Sequence, residues 1–381
     1  MKIGVDIRFL AEGKRTGVEE YALNLLSALF IRGEKHQFKL FTNYWQGEPH
    51  YLNKLGSHKN VTIYRFRYPN KILNTSFIAR KKPFIDELLK GCDVFFYPNI
   101  IFGAVSRNCP IVTTFHDLSF ELHPEFLSLK KRIWHRLVKP QYQAEISARI
   151  IAVSGSTKKD LVEQYNVPPG KIKIVHSGIN RPPDNLNERS LKVKTKYKLP
   201  DRFVLFFGTL EPRKNVLGVF SAFTRLKESG KIKGYKLVIA GSPGWLDRQF
   251  WSEVNRSDWK KDIQHIGFVE QADKLALFSL ADVFVFPSFY EGFGFPPLEA
   301  MSVGTPVITS SISSLPEVVG DAALLVNPYN HAEIAKALEE LLEDDELRRQ
   351  LIKRGWQRTA NFSWQQTAEQ TLAVLGEAAN I

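Results

Sequence analysis

Residues 287–306, PSFYEGFGFPPLEAMSVGTP, decide the fold of this chain, and they directly follow the apolar run ADVFVF at 281–286. A short run of β-branched and aromatic residues that ends at a proline predicts a buried strand. Pro296 and Pro297 then predict a helix start, because proline fits the first turn of a helix. The pattern predicts a strand, a loop and a helix. In parallel sheets such a loop lies at the edge where ligands meet backbone N–H groups.

The loop of this unit has an unusual composition for a plain connection. Gly292 and Gly294 allow another group to approach the backbone closely, and two carboxylates, Glu291 and Glu299, stand with seven residues between them. Two interpretations follow: a ligand site, or a turn with solvated glutamates in which Glu299 complements the helix dipole. A dinucleotide-binding loop is disfavoured, because Pro297 stands where G-x-G-x-x-G needs its third glycine.

The segment EGFGFPPLEAM at 291–301, followed by GTPVI at 304–308, resembles the E-x7-E motif of retaining GT-B glycosyltransferases of family 4, also called group 1. The resemblance covers essentially the whole chain. It implies an α/β GT-B fold with two Rossmann-like, doubly wound parallel-sheet domains facing a central cleft. It also implies that Glu291 contacts hydroxyls of the donor sugar and that Glu299 holds the ribose of the nucleotide. The other donor-binding residues that it implies around this loop are Gly292, Phe293, Gly294, Phe295 and Leu298.

Length and composition limit the class of protein. A chain of 381 residues exceeds what one hydrophobic core normally accommodates, so two domains are expected. The polar stretch at 179–203 is the predicted boundary, which gives domains 1–180 and 181–363. A last helix at about 364–381 crosses back to the first domain in the family. Two cysteines offer neither a disulfide framework nor a zinc cluster, and no signal peptide or run of about 18 apolar residues is present, so we expect a cytoplasmic protein.

Short strand patterns separated by helical patterns predict a doubly wound parallel sheet in each domain. The predicted strands of the first domain are 2–9, 37–42, 61–66, 94–97, 111–115, 150–153 and 172–175. Those of the second are 204–208, 237–240, 264–268, 283–286, 307–309 and 323–326.

Two candidate site residues of the first domain follow predicted strands. Gly17 ends the loop GKRTG at 13–17 and is either a turn glycine or a backbone contact for an anion. His116 ends the strand IVTTF and is either a structural histidine or a group that binds or transfers a proton. The resemblance implies that Gly17 lies against the donor diphosphate, and that His116, with Asp117 beside it, lies near the donor sugar and the acceptor.

A basic pair follows the first strand of the second domain, in GTLEPRKN at 208–215. Asn215 is a predicted N-cap, so Arg213 and Lys214 stand just before a helix N-terminus, where cations oppose the helix dipole. Either both side chains point into water, or an anion such as a phosphate binds there. The resemblance implies that this pair binds the donor diphosphate. It also implies nucleotide contacts further along, at Gly241, residues 265–269 (Val269 above all) and Glu317.

Charge is divided unevenly along the chain. Residues 1–180 hold 27 Lys and Arg against 15 Asp and Glu, whereas residues 181–381 hold 25 of each. Two segments, 65–82 and 128–140, interleave basic with apolar and aromatic residues, and 128–140 predicts a basic amphipathic helix. We expect this domain to contact the anionic inner face of the cytoplasmic membrane; the alternative is a solvated helix packed on its own domain. Nucleic acid is not an expected partner, because no nucleic-acid-binding motif is present.

The expected function is transfer of a hexose from a nucleoside diphosphate sugar to a saccharide or lipid-linked saccharide, with retention of anomeric configuration. Glu291, His116, Arg213 and Lys214 are the expected catalytic residues. The segments at 16–26 and 115–136 are similar to those of bacterial mannosyltransferases of surface-polysaccharide assembly, which favours GDP-mannose over a UDP-hexose. No Asp-x-Asp follows an apolar strand, so no metal and no cofactor are expected. The alternative is a sugar-nucleotide binding protein or a UDP-sugar epimerase on the same scaffold.

Overall fold

The computed structural model describes residues 1–12, 17–44, 52, 55–244 and 247–381, which divide into two compact units. Unit 1 comprises Met1–Gly178 and Phe362–Ile381, and unit 2 comprises Ile179–Asn361. Both boundaries lie two residues before the positions that the sequence predicts. Of the predicted loop at 13–17, only Gly17 is among the described residues.

Unit 1 is built on a parallel sheet whose order, within the described residues, is β3-β2-β1-β4-β5-β6-β7. Its strands are β1 (Lys2–Asp6), β2 (Gln37–Asn43), β3 (Val61–Phe66), β4 (Val94–Tyr97), β5 (Ile111–Phe115), β6 (Arg149–Ala152) and β7 (Ile172–Ile174). Its first helices are α1 (Gly17–Arg32), α2 (Asn70–Arg80), α3 (Ile85–Leu88), α4 (Ser119–Leu122), α5 (Leu129–Val138), α6 (Pro140–Ile146) and α7 (Gly155–Tyr165). The central strands β4 and β5 are buried along their whole length, as expected where helices cover both faces of a parallel sheet.

Unit 2 repeats this architecture in the order β10-β9-β8-β11-β12-β13, again with parallel pairing. Its strands are β8 (Phe203–Phe207), β9 (Lys236–Ala240), β10 (Ile263–Gly267), β11 (Val283–Phe286), β12 (Val307–Ser310) and β13 (Leu324–Val326). Its helices are α8 (Leu186–Lys196), α9 (Val216–Glu228), α10 (Asp247–Arg256), α11 (Gln271–Leu280), α12 (Phe295–Ser302), α13 (Leu315–Val319), α14 (His331–Glu343) and α15 (Asp345–Thr359). The core lies between the sheet and its helices and includes Phe206, Phe223 and Leu338.

The last helix, α16 (Trp364–Ala379), belongs to unit 1. It begins where the Ser363 hydroxyl accepts a hydrogen bond from the Gln366 backbone N–H, at 3.2 Å. It packs against α1, where Glu369 lies 3.3 Å from Arg32. The chain therefore completes its first unit only with its final residues.

Three sequence-based element bounds are wrong, each for a local reason. The predicted strand at 2–9 ends at Asp6, because the Asp6 carboxylate accepts the Arg8 backbone N–H at 3.0 Å and turns the chain into a 3-10 turn. The predicted helix at 128–140 ends at Val138. Lys139 is left-handed, with φ 52°, and Pro140 begins α6, since a residue before proline is disfavoured in helical conformation.

The third concerns the polar stretch at 179–203, the predicted domain boundary, in which the sequence predicts no helix; the division between the units falls at its first residue. It lies in unit 2 and contains α8, whose buried residues are Ser190 and Val193. So little apolar surface is buried that the helix has no strong hydrophobic pattern to reveal it.

Among the described residues, no helix is both long enough and apolar enough to cross a bilayer.

Candidate functional site

The candidate site of unit 2 lies where its strand order reverses, between β8 and β11. Ligands of doubly wound sheets bind at such a point, outside the carboxyl ends of the strands. The loop after β8 carries Arg213 and Lys214 in a short 3-10 turn, and the loop after β11 carries Glu291. The sequence predicted site residues in both loops, and the topology brings the two loops together.

Glu291 binds both cations of the β8 loop. Its Oε2 lies 2.9 Å from Arg213 Nη1, and its Oε1 lies 2.5 Å from Lys214 Nζ. Arg213 also donates to the backbone carbonyl of Tyr290 at 2.7 Å, and the Lys214 ammonium lies 4.8 Å from the centre of the Phe286 ring. The cluster is nearly enclosed, since Glu291 is 7% exposed, and it carries one net positive charge. It is therefore a fixed, water-poor cationic site.

The protonation states of this cluster follow from burial and mutual attraction. Burial alone would raise the pKa of Glu291, but Arg213 and Lys214 outweigh it and lower that pKa to about 2. For Lys214, burial together with the charge of Arg213 lowers the pKa, and Glu291 offsets only part of this. An additional anion at the cluster would oppose this lowering, so the site is suited to a negatively charged ligand.

The glutamate loop is braced by two serines of the segment before α13. The Ser313 hydroxyl lies 2.9 Å from the Glu291 backbone N–H and 3.0 Å from its carbonyl. Ser314 donates to the carbonyls of Glu291 and Phe293, at 2.8 and 2.7 Å. The side-chain geometry of Glu291 thus rests on a backbone that is held from a third loop.

Asn215 links three loops at this edge. As predicted, its side chain caps α9, with Oδ1 accepting from the Gly218 N–H at 3.2 Å. The sequence did not indicate its other bonds: Nδ2 donates to the carbonyls of Pro287 and Pro328, at 3.1 and 2.7 Å. Its backbone is left-handed, with φ 55°, a conformation that asparagine tolerates better than most residues. Asn215 therefore fixes the turn Pro212–Lys214 relative to the loops after β11 and β13.

The loop after β9 lies directly against the loop after β8. A Cβ at Gly241 would lie 2.0 Å from the Gly208 carbonyl oxygen, and one at Gly244 would lie 1.9 Å from that of Leu210. Neither position has room for a side chain. The backbones of the two loops are therefore in contact.

The second glutamate of the motif forms a separate buried pair. Glu299 on α12 lies with its Oε1 2.6 Å from the Nζ of Lys274 on α11. Lys274 and Glu299 are 6% and 3% exposed. Sequence reasoning missed Lys274, although a cation in the first turn of a helix opposes the helix dipole, as Arg213 and Lys214 do just before a helix N-terminus.

The remaining residues that were predicted to bind the donor differ in burial and in position along the loops. Leu298 and Phe293 have buried side chains. Gly294, with φ 119°, precedes α12, and Phe295 begins that helix with its ring 5.2 Å from the Phe293 ring. Val269 follows β10 and is buried. Nearby, His265 Nε2 donates to the Gly241 carbonyl at 3.1 Å.

In unit 1, His116 stands at the carboxyl end of β5, as predicted. Its Nε2 donates to the Pro98 carbonyl at 2.9 Å, which leaves Nδ1 as the acceptor nitrogen, and the Tyr21 ring lies edge-on at 4.7 Å. Burial lowers the pKa of His116, so the neutral imidazole is favoured at neutral pH. Asp117 Oδ1 accepts hydrogen bonds from the backbone N–H and the hydroxyl of Ser119, at 2.9 and 2.7 Å. Gly17, the first residue of α1, is exposed.

No group of three or more His, Cys, Asp or Glu side chains that could hold a metal ion occurs among the described residues.

Comparison with known proteins agrees with this architecture. The model of the family "Glycosyltransferase Family 4" matches residues 15–181, and that of "Glycosyl transferases group 1" matches residues 187–358. The chain is 33% identical over 370 residues to the O-antigen chain mannosyltransferase B of Escherichia coli, covering 94% of this chain and 95% of that protein.

Solved structures show the same fold at lower identity. Anabaena HepE in complex with UDP and glucose superimposes with a TM-score of 0.72 and 17% identity, over 99% of this chain and 100% of that one. Sucrose-phosphate synthase from Thermosynechococcus elongatus gives a TM-score of 0.74 and 20% identity, over 99% and 98%.

The fold is GT-B, and its class is that of the glycosyltransferases. The chain belongs to the group 1 glycosyl transferases, with a family 4 domain in its first half. Both the fold class and the family that the sequence predicted are confirmed.

Proposed function

We propose that this glycosyltransferase moves a hexose, with mannose as the first candidate, from a nucleoside diphosphate sugar to a saccharide or lipid-linked saccharide, retaining the anomeric configuration and requiring no metal. The observation that carries the proposal is the Arg213–Glu291–Lys214 cluster at the strand-reversal point of unit 2. The full-length relative named as an O-antigen chain mannosyltransferase favours mannose.

The chemistry assigned to the cluster is stabilisation of the leaving diphosphate. As the bond between the sugar and the phosphate breaks, negative charge develops on the phosphate oxygen. Two fixed cations in a water-poor site stabilise that charge without reorganising. Glu291 keeps both cations in place through hydrogen bonds of 2.5 and 2.9 Å before a donor arrives. In this proposal the protein supplies the positive charge that a metal ion would otherwise provide.

The Glu291 carboxylate is also assigned the role of binding the donor sugar. The low pKa of Glu291 keeps it ionised, so it acts as a hydrogen-bond acceptor for sugar hydroxyls and positions the donor. His116, with its neutral imidazole, is assigned to the acceptor side together with Asp117. We propose that Glu291 forms no stable glycosyl-enzyme. NMR of the product should show the anomeric configuration of the donor, and mass spectrometry should find no sugar on Glu291; an inverted product or a trapped covalent sugar would contradict this.

Donor choice is tested by ligand stabilisation. A ligand at about 100 times its dissociation constant stabilises a protein by roughly 2.7 kcal/mol, so thermal unfolding with GDP-mannose, GDP and UDP-hexoses should separate the candidates. GDP-mannose is expected to give the largest shift. Release of nucleoside diphosphate is then measured with and without saccharide acceptors. Acceptor-dependent release supports transfer, whereas binding without release would favour a sugar-nucleotide binding protein and interconversion of UDP-hexoses an epimerase.

We propose further that unit 1 holds the enzyme at the anionic inner face of the cytoplasmic membrane, where a lipid-linked acceptor resides. The observation that favours this is an outward-facing apolar stripe on α5: Leu129, Ile133 and Leu137, at successive helical turns, are 72%, 50% and 46% exposed. The stripe therefore faces away from unit 1, which disfavours a helix packed by its apolar face on its own domain.

Charge around the stripe matches an anionic surface. The segment 126–144 contains no Asp or Glu, and neither does 49–85. Lys81, directly after α2, contacts Tyr142 of α6, the helix that follows α5, with its Nζ 3.1 Å from the hydroxyl and 4.5 Å from the ring centre. An exposed apolar stripe beside basic side chains is the pattern of an interfacial helix.

The membrane proposal is tested by sedimentation with anionic and neutral liposomes. Wild type should bind anionic liposomes at 0.1 M salt and bind them weakly at 1 M, where the Debye length falls to about 3 Å. Changing Lys130, Lys131 and Arg132 together to Glu should abolish this binding. Equal binding to both liposome types, or a triple variant that binds like wild type, would contradict the proposal and point to a soluble acceptor.

A further inference from the structure

The buried pair Lys274–Glu299 is hard to explain by the stability of unit 2 alone. Both groups are almost completely removed from water, with their charged atoms 2.6 Å apart. Desolvation of such a pair offsets most of its attraction, and apolar residues of similar volume often stabilise a protein as well or better. Lys274 also lies in the first turn of α11, where a cation opposes the helix dipole.

A second pair with a buried lysine in the same unit has a partly exposed partner, and its lysine does not oppose a helix dipole. Lys227, in the last turn of α9, lies 2.8 Å from Asp262, which is partly exposed. A cation at the end of a helix is favoured by its dipole. This pair precedes β10, so it lies at the sheet edge opposite to the Glu291 cluster. Lys227 is therefore a matched control for burial and ion pairing without proximity to the site.

The position of Lys274 suggests what it does. Its helix follows β10 at the carboxyl edge of the sheet, its Nζ lies 5.6 Å from the ring centre of Phe207 at the end of β8, and its partner Glu299 lies on the helix that begins beside the Glu291 loop. An ionised carboxylate offers about four acceptor positions on two oxygens. Glu299 can thus accept from Lys274 at Oε1 and retain capacity for hydroxyl donors.

We infer that Lys274 is a positioning residue for nucleotide binding: it orients the Glu299 carboxylate so that this carboxylate accepts hydrogen bonds from the ribose of the donor. The inference rests on the proposed function, in which the ligand is a nucleoside diphosphate sugar. Lys274 does not contact the ribose; it acts through Glu299. Its loss should therefore reduce discrimination between ribose and deoxyribose, whereas a purely structural lysine would affect both ligands equally.

The experiment is calorimetric titration of the full chain with GDP and UDP and with their 2′-deoxy and 3′-deoxy counterparts. The readout is the ratio of dissociation constants between the deoxy and the ribose ligand. In wild type we expect about a tenfold preference for ribose, the scale of a hydrogen bond to a charged group. Lys274→Met should reduce the ratio to below about threefold, Lys274→Arg should restore most of it, and Lys227→Met should leave it unchanged.

A double-mutant cycle keeps the test valid even if Lys274→Met fails to fold. In Lys274→Met the carboxylate is left buried beside an apolar group, so we add Glu299→Gln and the double variant Lys274→Met/Glu299→Gln, which carries no charge at this position. The ratio of the double variant should equal that of Glu299→Gln, because Lys274 acts only through Glu299.

Three results would overturn the inference. The first is a folded Lys274→Met that keeps the wild-type ratio. The second is a double variant that discriminates less than Glu299→Gln. The third is a wild type that binds the ribose and deoxy ligands equally. If wild type binds neither GDP nor UDP, the proposed function itself fails, which is distinguishable from the other outcomes because no ratio is then measurable.

Discussion

The two units carry their positive charge in opposite ways. At the ligand edge of unit 2, Arg213, Lys214 and Lys274 are largely buried, and each lies within 3 Å of a glutamate oxygen. In unit 1, the basic residues of α5 stand on an exposed helix in a segment without any acidic residue. Buried, paired cations have fixed geometry and suit a ligand of defined shape. Exposed cations with no acidic neighbours in sequence suit a diffuse anionic surface and are screened by salt.

The largest effect is expected for a buried cation. Replacing Lys214 with Ala removes one of the two fixed charges assigned to the leaving diphosphate, and turnover should fall by about 10² to 10³. Steady-state kinetics with saturating donor measure this, with Lys227→Ala as the control for loss of a buried lysine. Activity should persist in EDTA. Full loss in EDTA that Mg²⁺ restores would contradict the assignment of the diphosphate to protein cations.

The next effect is the dependence of unfolding on pH. The pKa of Glu291 is lowered from 4.5 to about 2 in the folded state, so its ionised form stabilises unit 2 above pH 4.5. This contribution is lost as the pH falls from 4.5 toward 2, and amounts to about 3 kcal/mol at roughly 1.4 kcal/mol per pKa unit. Urea unfolding across that range should show a shallower loss for Glu291→Gln than for wild type. Glu253→Gln, an exposed change on α10, should behave like wild type; equal slopes for all three would refute the buried cluster.

A smaller effect is expected at the second glutamate. Glu299→Gln removes the charge assigned to the ribose and should raise the dissociation constant for the nucleoside diphosphate by about tenfold. Turnover at saturating donor should stay close to wild type, because no group at the reacting carbon is altered. Calorimetry measures the change in nucleotide affinity, and steady-state kinetics measure the change in turnover. A fall in turnover with unchanged nucleotide affinity would instead place Glu299 at the reaction.

The smallest effect is expected for one exposed cation. A basic residue near an anionic leaflet contributes about 1 kcal/mol, so Lys131→Gln should weaken binding to anionic liposomes by about fivefold at low salt. At 1 M salt the variant and wild type should be indistinguishable. Donor affinity in unit 2 should not change with this substitution. A loss that persists at high salt would mean that the contact of α5 is not electrostatic.

The sequence predicted those features of the fold that depend on short-range pattern. Twelve of the thirteen strand predictions differ from the observed bounds by one residue or less at the carboxyl end, because an apolar run between turn residues is a local signal. The helix α8 was missed because it buries little, and the break at Lys139 was missed because a helical hydrophobic period can continue through a proline.

The site residues that could be predicted from the sequence are those whose type and position in the chain are unusual. Glu291, Arg213 and Lys214 stand out because glycines, prolines and charges cluster at strand ends. Their mutual contacts were not predictable, since loops 77 and 78 residues apart in sequence meet only through the strand order. Lys274 was missed although its place in the first turn of α11 is a local signal, because its partner Glu299 lies on another helix.

The contact between the loops after β8 and β9 makes the turn that carries Arg213 and Lys214 sensitive to substitutions in a neighbouring loop. Even one methyl group at Gly241 or Gly244 would fall about 2 Å from a backbone oxygen of the segment that leads to Arg213 and Lys214. Because that backbone cannot shift without moving the turn, an alanine at either glycine would displace Arg213 and Lys214. In kinetics, such a substitution would resemble the loss of Arg213 or Lys214, although neither residue is changed.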